Sequence, residues 1–107
     1  MVGNKFNAQK TEAFGRTFAS KKEARRYGDL KTLERAGEIS GLICQPRFDL
    51  TVNGIRVGRW TPDFSYFEAD QEIVEDVKGG NATKTEAYRL RVKLFKALYP
   101  QFEVRET

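Results

Sequence analysis

Apolar positions follow a helical period over two stretches of the chain and alternate over several shorter ones. Ala24, Tyr27, Leu30 and Leu33 share one broad helical face. Ser20-Lys21-Lys22-Glu23 opens that stretch in capping-box form, with Ser20 as N-cap and Glu23 at N3, and Gly37 closes it just past Arg35 or Ala36. A second helix is expected from about Thr83 to Leu98, with Ala87, Leu90, Leu94, Phe95 and Leu98 as its apolar stripe and Pro100 as its stop. Between the helices, Leu42-Ile43-Cys44-Gln45 and Phe48-Asp49-Leu50-Thr51-Val52 read as one strand, interrupted or bulged near Pro46. Asn53-Gly54 signals a tight hairpin turn. The next strand begins at Ile55 and continues, with a bend, through Trp60 to Phe67. A polar turn at Glu68-Ala69-Asp70-Gln71 leads to a third strand over Glu72 to Lys78, and Phe102 to Arg105 suits a short final strand. Phe14-Gly15-Arg16-Thr17-Phe18 reads as a short turn or hairpin behind a basic arm. The order helix, three strands, helix, strand defines an α/β or α+β domain, in which a hairpin leads to a strand that crosses over through a helix. The expected division is a flexible arm over residues 1–13 and one domain over 14–107.

Composition narrows the chemistry. A chain of 107 residues suits one domain with a modest core. There is no histidine and a single cysteine, Cys44, so histidine-based nucleases and hydrolases, histidine-ligated zinc and cysteine-rich zinc fingers are excluded. An enzyme built from this set must use carboxylates, lysine or hydroxyls, and a hard cation such as Mg²⁺ is the natural helper, with Mn²⁺ able to substitute. The absence of an internal disulfide, of a signal-peptide pattern and of a run near the roughly 20 apolar residues of a membrane span points to the cytoplasm. No membrane association and no organic cofactor are expected. The 19 Lys and Arg against 15 Asp and Glu give a net charge of +4, which favours a polyanionic partner without proving one.

The most informative stretch is Thr61-Pro62-Asp63-Phe64, followed by Ile73-Val74-Glu75-Asp76-Val77-Lys78-Gly79. Side chains alternate along a strand, so Asp76 and Lys78 share one face and Glu75 points to the other. Phosphodiester hydrolysis requires neutralised phosphate charge, an activated water and a stabilised leaving oxygen, and a carboxylate-held Mg²⁺ contributes to all three. Asp63 and Asp76 are the candidate metal ligands, together with the Val77 carbonyl. Lys78 is the candidate for orienting water and holding a phosphate oxygen. Each has a structural alternative. Asp63 after Pro62 suits a turn, although Phe64 and Tyr66 favour a strand start, and Asp76 with Lys78 suits a solvated strand face.

Pro62-Asp63 followed by Asp76-Val77-Lys78 resembles the PD-(D/E)XK signature of restriction-endonuclease-like nucleases, and the element order resembles that family's αβββαβ core. Ser20-Lys21-Lys22-Glu23-Ala24 before a helix and Gln45-Pro46 at the first strand resemble small phage-encoded members, near junction resolvases and transposon-end nucleases. The resemblance runs from about Phe14 to the C-terminus. It implies Mg²⁺-dependent DNA cleavage in the host cytoplasm. It also implies a glutamate from the first helix completing the metal site, and Glu23 stands at that position. The capping box alone also accounts for Glu23, but its place between Tyr27 and Leu30 on the helical wheel aims a carboxylate inward, where it needs a partner or a cation.

Lys21, Lys22, Arg25 and Arg26 on the first helix, Lys84, Tyr88 and Lys93 off the main stripe of the second, and Gln45 are candidate DNA contacts. The bland reading of each is a solvated face. Trp60 suits either base stacking or the core. A chain this short has little surface for reading sequence, so branched or otherwise structured DNA is the expected substrate, and a homodimer would supply two sites for two strands. The alternatives are a nucleic-acid-binding module of the same fold without cleavage, and a phage protein that binds and inhibits a host protein.

Overall fold

The structure, a computed structural model, describes residues 10–78 and 85–107. In chain order it contains β1 (Thr11–Ala13), β2 (Arg16–Phe18), α1 (Lys21–Arg35), β3 (Ser40–Cys44), β4 (Phe48–Val52), β5 (Ile55–Trp60), β6 (Phe64–Glu68), β7 (Gln71–Asp76), α2 (Glu86–Leu98) and β8 (Phe102–Glu106). It is a mixed α+β fold. The main sheet has strand order β3-β6-β7-β8, with β3, β6 and β7 antiparallel and β8 parallel to β7. A parallel neighbour needs a crossover connection, and α2 lies within it.

Local signals set the ends of α1. Ser20 Oγ accepts the Glu23 N–H at 3.1 Å, while Glu23 Oε2 reaches back to the Ala19 N–H at 3.3 Å instead of to Ser20. At the far end Gly37 takes φ +79°, and the Gly37 and Glu38 N–H groups donate to the Glu34 and Leu33 carbonyls, each at 3.0 Å. This is a Schellman closure, which a left-handed glycine makes possible. Ser20→Ala is expected to cost about 1 kcal/mol in urea denaturation, because the Glu23 N–H loses its acceptor. No change in the unfolding midpoint would contradict that role.

The strand assignments are corrected at two prolines. The expected single strand from Leu42 to Val52 is two strands, and so is the one from Ile55 to Phe67. β3 and β6 belong to the main sheet, whereas β4 and β5 pair only with each other. Pro46 and Pro62 have no N–H to give to a ladder. Gln45 adopts φ +53° beside Pro46, and its N–H donates to the Asp63 carbonyl at 2.8 Å, next to the paired residues Cys44 and Phe64. Beyond that point the chain leaves the sheet as a two-stranded ribbon. Its tip, Asn53-Gly54, has φ +52° and +79°, as a tight primed turn requires. The third expected strand ends at Asp76 rather than Lys78. The N-terminal hairpin is present and draws Thr11–Ala13, expected in the arm, into pairing with Arg16–Phe18. The rest of the arm, residues 1–9, lies outside the described residues.

Each face of the sheet carries its own core. Phe18, Ala24, Tyr27, Leu30, Ile39, Phe64, Tyr66 and Ile73 form the α1 side. Leu50, Trp60, Val74, Val92 and Phe95 form the α2 side. The second layer is aromatic: the Phe95 ring lies 4.8 Å from Trp60, 4.9 Å from Phe48 and 5.0 Å from Tyr99, measured between centroids. Trp60 is therefore a core residue. Of the stripe expected on α2, Leu94, Phe95 and Leu98 pack on this core, whereas Ala87 is exposed and Leu90 is 60% exposed; Tyr88, Val92 and Tyr99 complete the packed face in their place. The helix begins later than expected, with Thr85 as N-cap accepting from the Tyr88 N–H at 3.0 Å, and Thr83 and Lys84 fall outside the described residues. No helix among the described residues is long and apolar enough to cross a membrane.

Candidate active site

Three elements meet at the end of the main sheet. Asp63 directly precedes β6 and Asp76 ends β7. Because Phe64 pairs with Glu75, Asp63 continues the ladder opposite Asp76. Glu23 comes from the first turn of α1, which abuts the same sheet end: Lys22 Nζ donates to the Lys78 carbonyl and, at 3.2 Å, to Thr107 O.

Alternation along β7 settles the acidic pair. Ile73 and Glu75 face the α1 layer, and Val74 and Asp76 face the α2 layer. Asp76 and Lys78 do share a face, with Lys78 Nζ 2.7 Å from Asp76 Oδ2. Glu75 points away as expected, but it is fully buried rather than idle. Arg26 Nε and Nη2 donate to its two oxygens at 2.6 and 2.9 Å, Tyr66 Oη at 2.6 Å and Thr107 Oγ1 at 3.1 Å. Arg26 is thus a structural partner and not a free phosphate contact.

The carboxyl groups of Glu23, Asp63 and Asp76 feel one another. Glu23 is 4% exposed and Asp76 8%. Asp63 Oδ2 accepts the Val77 N–H at 2.7 Å. Burial, reinforced by Asp76 and Glu23 and opposed by the Val77 N–H, pushes Asp63 up to about 8. Glu23 is also raised, by burial first and by the Asp76 charge, against hydrogen bonds from Ala19 and Asp63 that favour its ionised form. At neutral pH Asp63 therefore holds its proton, beside the carboxyl groups of Glu23 and Asp76.

Folded Asp63 holds its proton more tightly than the unfolded chain does. Its contribution to stability is fully present below the ordinary aspartate range and is lost as pH rises through about 8. Asp63→Asn keeps an acceptor for Val77 and removes the titration. In metal-free buffer the variant is expected to gain on the wild type by on the order of 4 kcal/mol between pH 5 and pH 9. Urea unfolding across that range measures it, and parallel profiles for the two proteins would contradict the assignment.

Three carboxyl groups, two of them pushed upward, are oxygen donors of the kind a hard divalent cation takes, although Lys78 Nζ already lies 2.7 Å from one of them. Among the described residues, no group of three His, Cys, Asp or Glu side chains is arranged so that it could hold a metal ion as it stands. Asp76 is turned onto Lys78 and Asp63 onto Val77.

Tyr88, placed off the packed stripe by sequence reasoning, belongs to the site. Lys78 Nζ sits 3.5 Å from its ring centroid, and Tyr88 Oη donates to Glu106 Oε2 at 2.7 Å. Burial, then the Glu106 hydrogen bond, pushes its phenol upward and keeps it protonated. The spacing Tyr88, Val92, Phe95, Tyr99 carried this signal, and the more aliphatic Ala87 and Leu90 obscured it. Of the expected DNA contacts, Lys21, Arg25, Lys93 and Gln45 are exposed, Lys22 is occupied by the Lys78 and Thr107 oxygens, and Lys84 lies outside the described residues. Val77 enters the site through its N–H, and its side chain packs on the α1-side core.

Fold and site together define a small α+β domain with a carboxylate–lysine cluster at the end of a mixed sheet. The family model described as "Protein of unknown function (DUF1064)" matches residues 3–106, and the chain belongs to that family. No curated protein and no solved structure gives a significant match.

Proposed function

We propose that the protein is a Mg²⁺-dependent DNA endonuclease of the restriction-endonuclease-like type, acting on structured DNA. The observation that carries this reading is the meeting of Glu23, Asp63 and Asp76 from three separate elements, with Lys78 on Asp76. The strand order β3-β6-β7-β8, with a helix before the sheet and a helix in the β7–β8 crossover, supports it. Asp63, Asp76 and Glu23 would hold the cation, with the Val77 carbonyl as a further oxygen ligand. When bound, Mg²⁺ supplies neutralisation of the phosphate and a more acidic water. For Asp63 and Asp76 to offer their oxygens, Asp63 would have to give up its proton and Asp76 its ion pair to Lys78. Lys78, against the Tyr88 ring, would then be free to hold a phosphate oxygen and orient the attacking water.

The second reading is a DNA-binding module that does not cleave, and the existing Lys78–Asp76 ion pair favours it, because Asp76 is already partnered. Incubating the protein with branched and linear DNA, with and without Mg²⁺ or Mn²⁺, decides between them. Metal-dependent nicking supports cleavage. Salt-sensitive DNA binding that neither metal alters supports the binder.

A further inference from the structure

The hairpin β1–β2 and the end of β3 wall a cleft of about 230 Å³ lined by Arg16, Thr17, Phe18, Glu23, Cys44 and Gln45. Glu23 is common to this cleft and to the carboxylate cluster, so the two sites are contiguous. Arg16 supplies the cleft's cation. Its guanidinium carbon lies 5.6 Å from the centroid of the Tyr27 ring, and among the described residues it has no ion-pair partner. Gln45, held at φ +53°, sits in the wall where the chain leaves the sheet and adds an amide that both donates and accepts. Burial pushes the Cys44 thiol up, so at neutral pH it stands mostly as the protonated thiol and reacts slowly through its small thiolate fraction. The lining thus offers one cation, one amide, one hydroxyl and the buried Phe18 ring.

Size limits what this chemistry can receive. The volume falls below the roughly 300–1,000 Å³ of clefts that enclose drug-sized ligands. A space of this size takes one nucleobase with its sugar, leaving the phosphate at the open mouth where Arg16 is exposed, and a base pair does not fit. The cation calls for an anion at the Arg16 end, away from the Glu23 wall. Resting on the nuclease reading above, we propose that this cleft seats one unpaired nucleotide of a DNA strand beside the phosphodiester held at Asp63 and Asp76, with Arg16 pairing its phosphate. The N-terminal hairpin is then part of the substrate site, and the preferred DNA carries an unpaired strand next to the cut.

Cys44 is the chain's only cysteine, so its reaction with a small maleimide reports occupancy of the cleft without any cleavage step. A short single-stranded oligonucleotide is expected to slow that reaction at least about fivefold at saturation, set by anisotropy. In Arg16→Ala the concentration for half-protection should rise about tenfold, as loss of one charge-assisted contact implies, and Arg16→Lys should recover most of it. Circular dichroism checks that each variant is folded. An oligonucleotide that binds yet leaves Cys44 equally reactive, or no binding at all, overturns the cleft assignment. Cys44 protection by an oligonucleotide that the wild type never cleaves, with Mg²⁺ or Mn²⁺ present, would instead overturn the nuclease reading and leave the cleft standing.

Discussion

On the proposed nuclease reading, replacing Asp76 with alanine is expected to lower Mg²⁺-dependent DNA cleavage by on the order of 10³-fold, because several kcal/mol of charge stabilisation at the phosphate would depend on a cation that Asp76 would help to hold. On that reading the loss should fall on kcat more than on KM, since the proposed DNA contacts are mostly residues other than Asp76. The folded state should not suffer. Asp76 is buried beside two other carboxyl groups, and its charge raises both Asp63 and Glu23. Removing it relieves that repulsion, so the metal-free variant should melt no lower than the wild type despite the lost ion pair to Lys78. Mg²⁺ should raise the melting temperature of the wild type and leave that of Asp76→Ala unmoved. A variant that melts normally and still cuts DNA would remove Asp76 from the mechanism.

Arg26→Ala is the change expected to harm stability most, by about 3–5 kcal/mol, because it strands a buried carboxylate. Glu75 is fully buried, and its ion pair to Arg26 is 2.6 Å long. Burial alone would raise the Glu75 carboxyl. The hydrogen bonds from Arg26, Tyr66 and Thr107 outweigh it and hold the group below the ordinary glutamate range. A carboxyl lowered in this way stabilises the fold above its unfolded pKa, and that contribution is lost as pH falls through the folded value, the opposite sign to Asp63. In Arg26→Ala the sign for Glu75 should reverse, since burial is left without its main counterweight. Denaturant unfolding at pH 5 and pH 8 tests both points. The double change Arg26→Met with Glu75→Leu, which removes both charges and keeps apolar volume, should recover most of the loss. An Arg26→Ala protein of wild-type stability would show that Tyr66 and Thr107 suffice.

Both predictions rest on side chains whose type the chain advertises unequally. Asp63, Asp76 and Lys78 stand out because strand alternation is a local rule, and their geometry follows it. Arg26 and Glu75 do not, because the reason for an inward glutamate on β7 is an arginine on a helix forty-nine positions earlier in the chain. Tyr88 fails for a related reason. A helix's buried face depends on what lies beneath it, and the aromatic residues of the β4–β5 ribbon select Val92 and Phe95 over the more aliphatic Leu90.

The local code by itself determined the caps of α1, the turns at Gly15 and Gly54, the placing of both helices within a few residues, and the shared face of Asp76 and Lys78, all of them features settled by neighbours in the chain. Only the tertiary structure decided where Pro46 and Pro62 send the ribbon, which face of α2 is buried, and that Glu23 reaches Asp63, because these depend on surfaces far apart in sequence. The physical reason is range: torsional preference and alternation act over a few residues, whereas burial and charge pairing act through space.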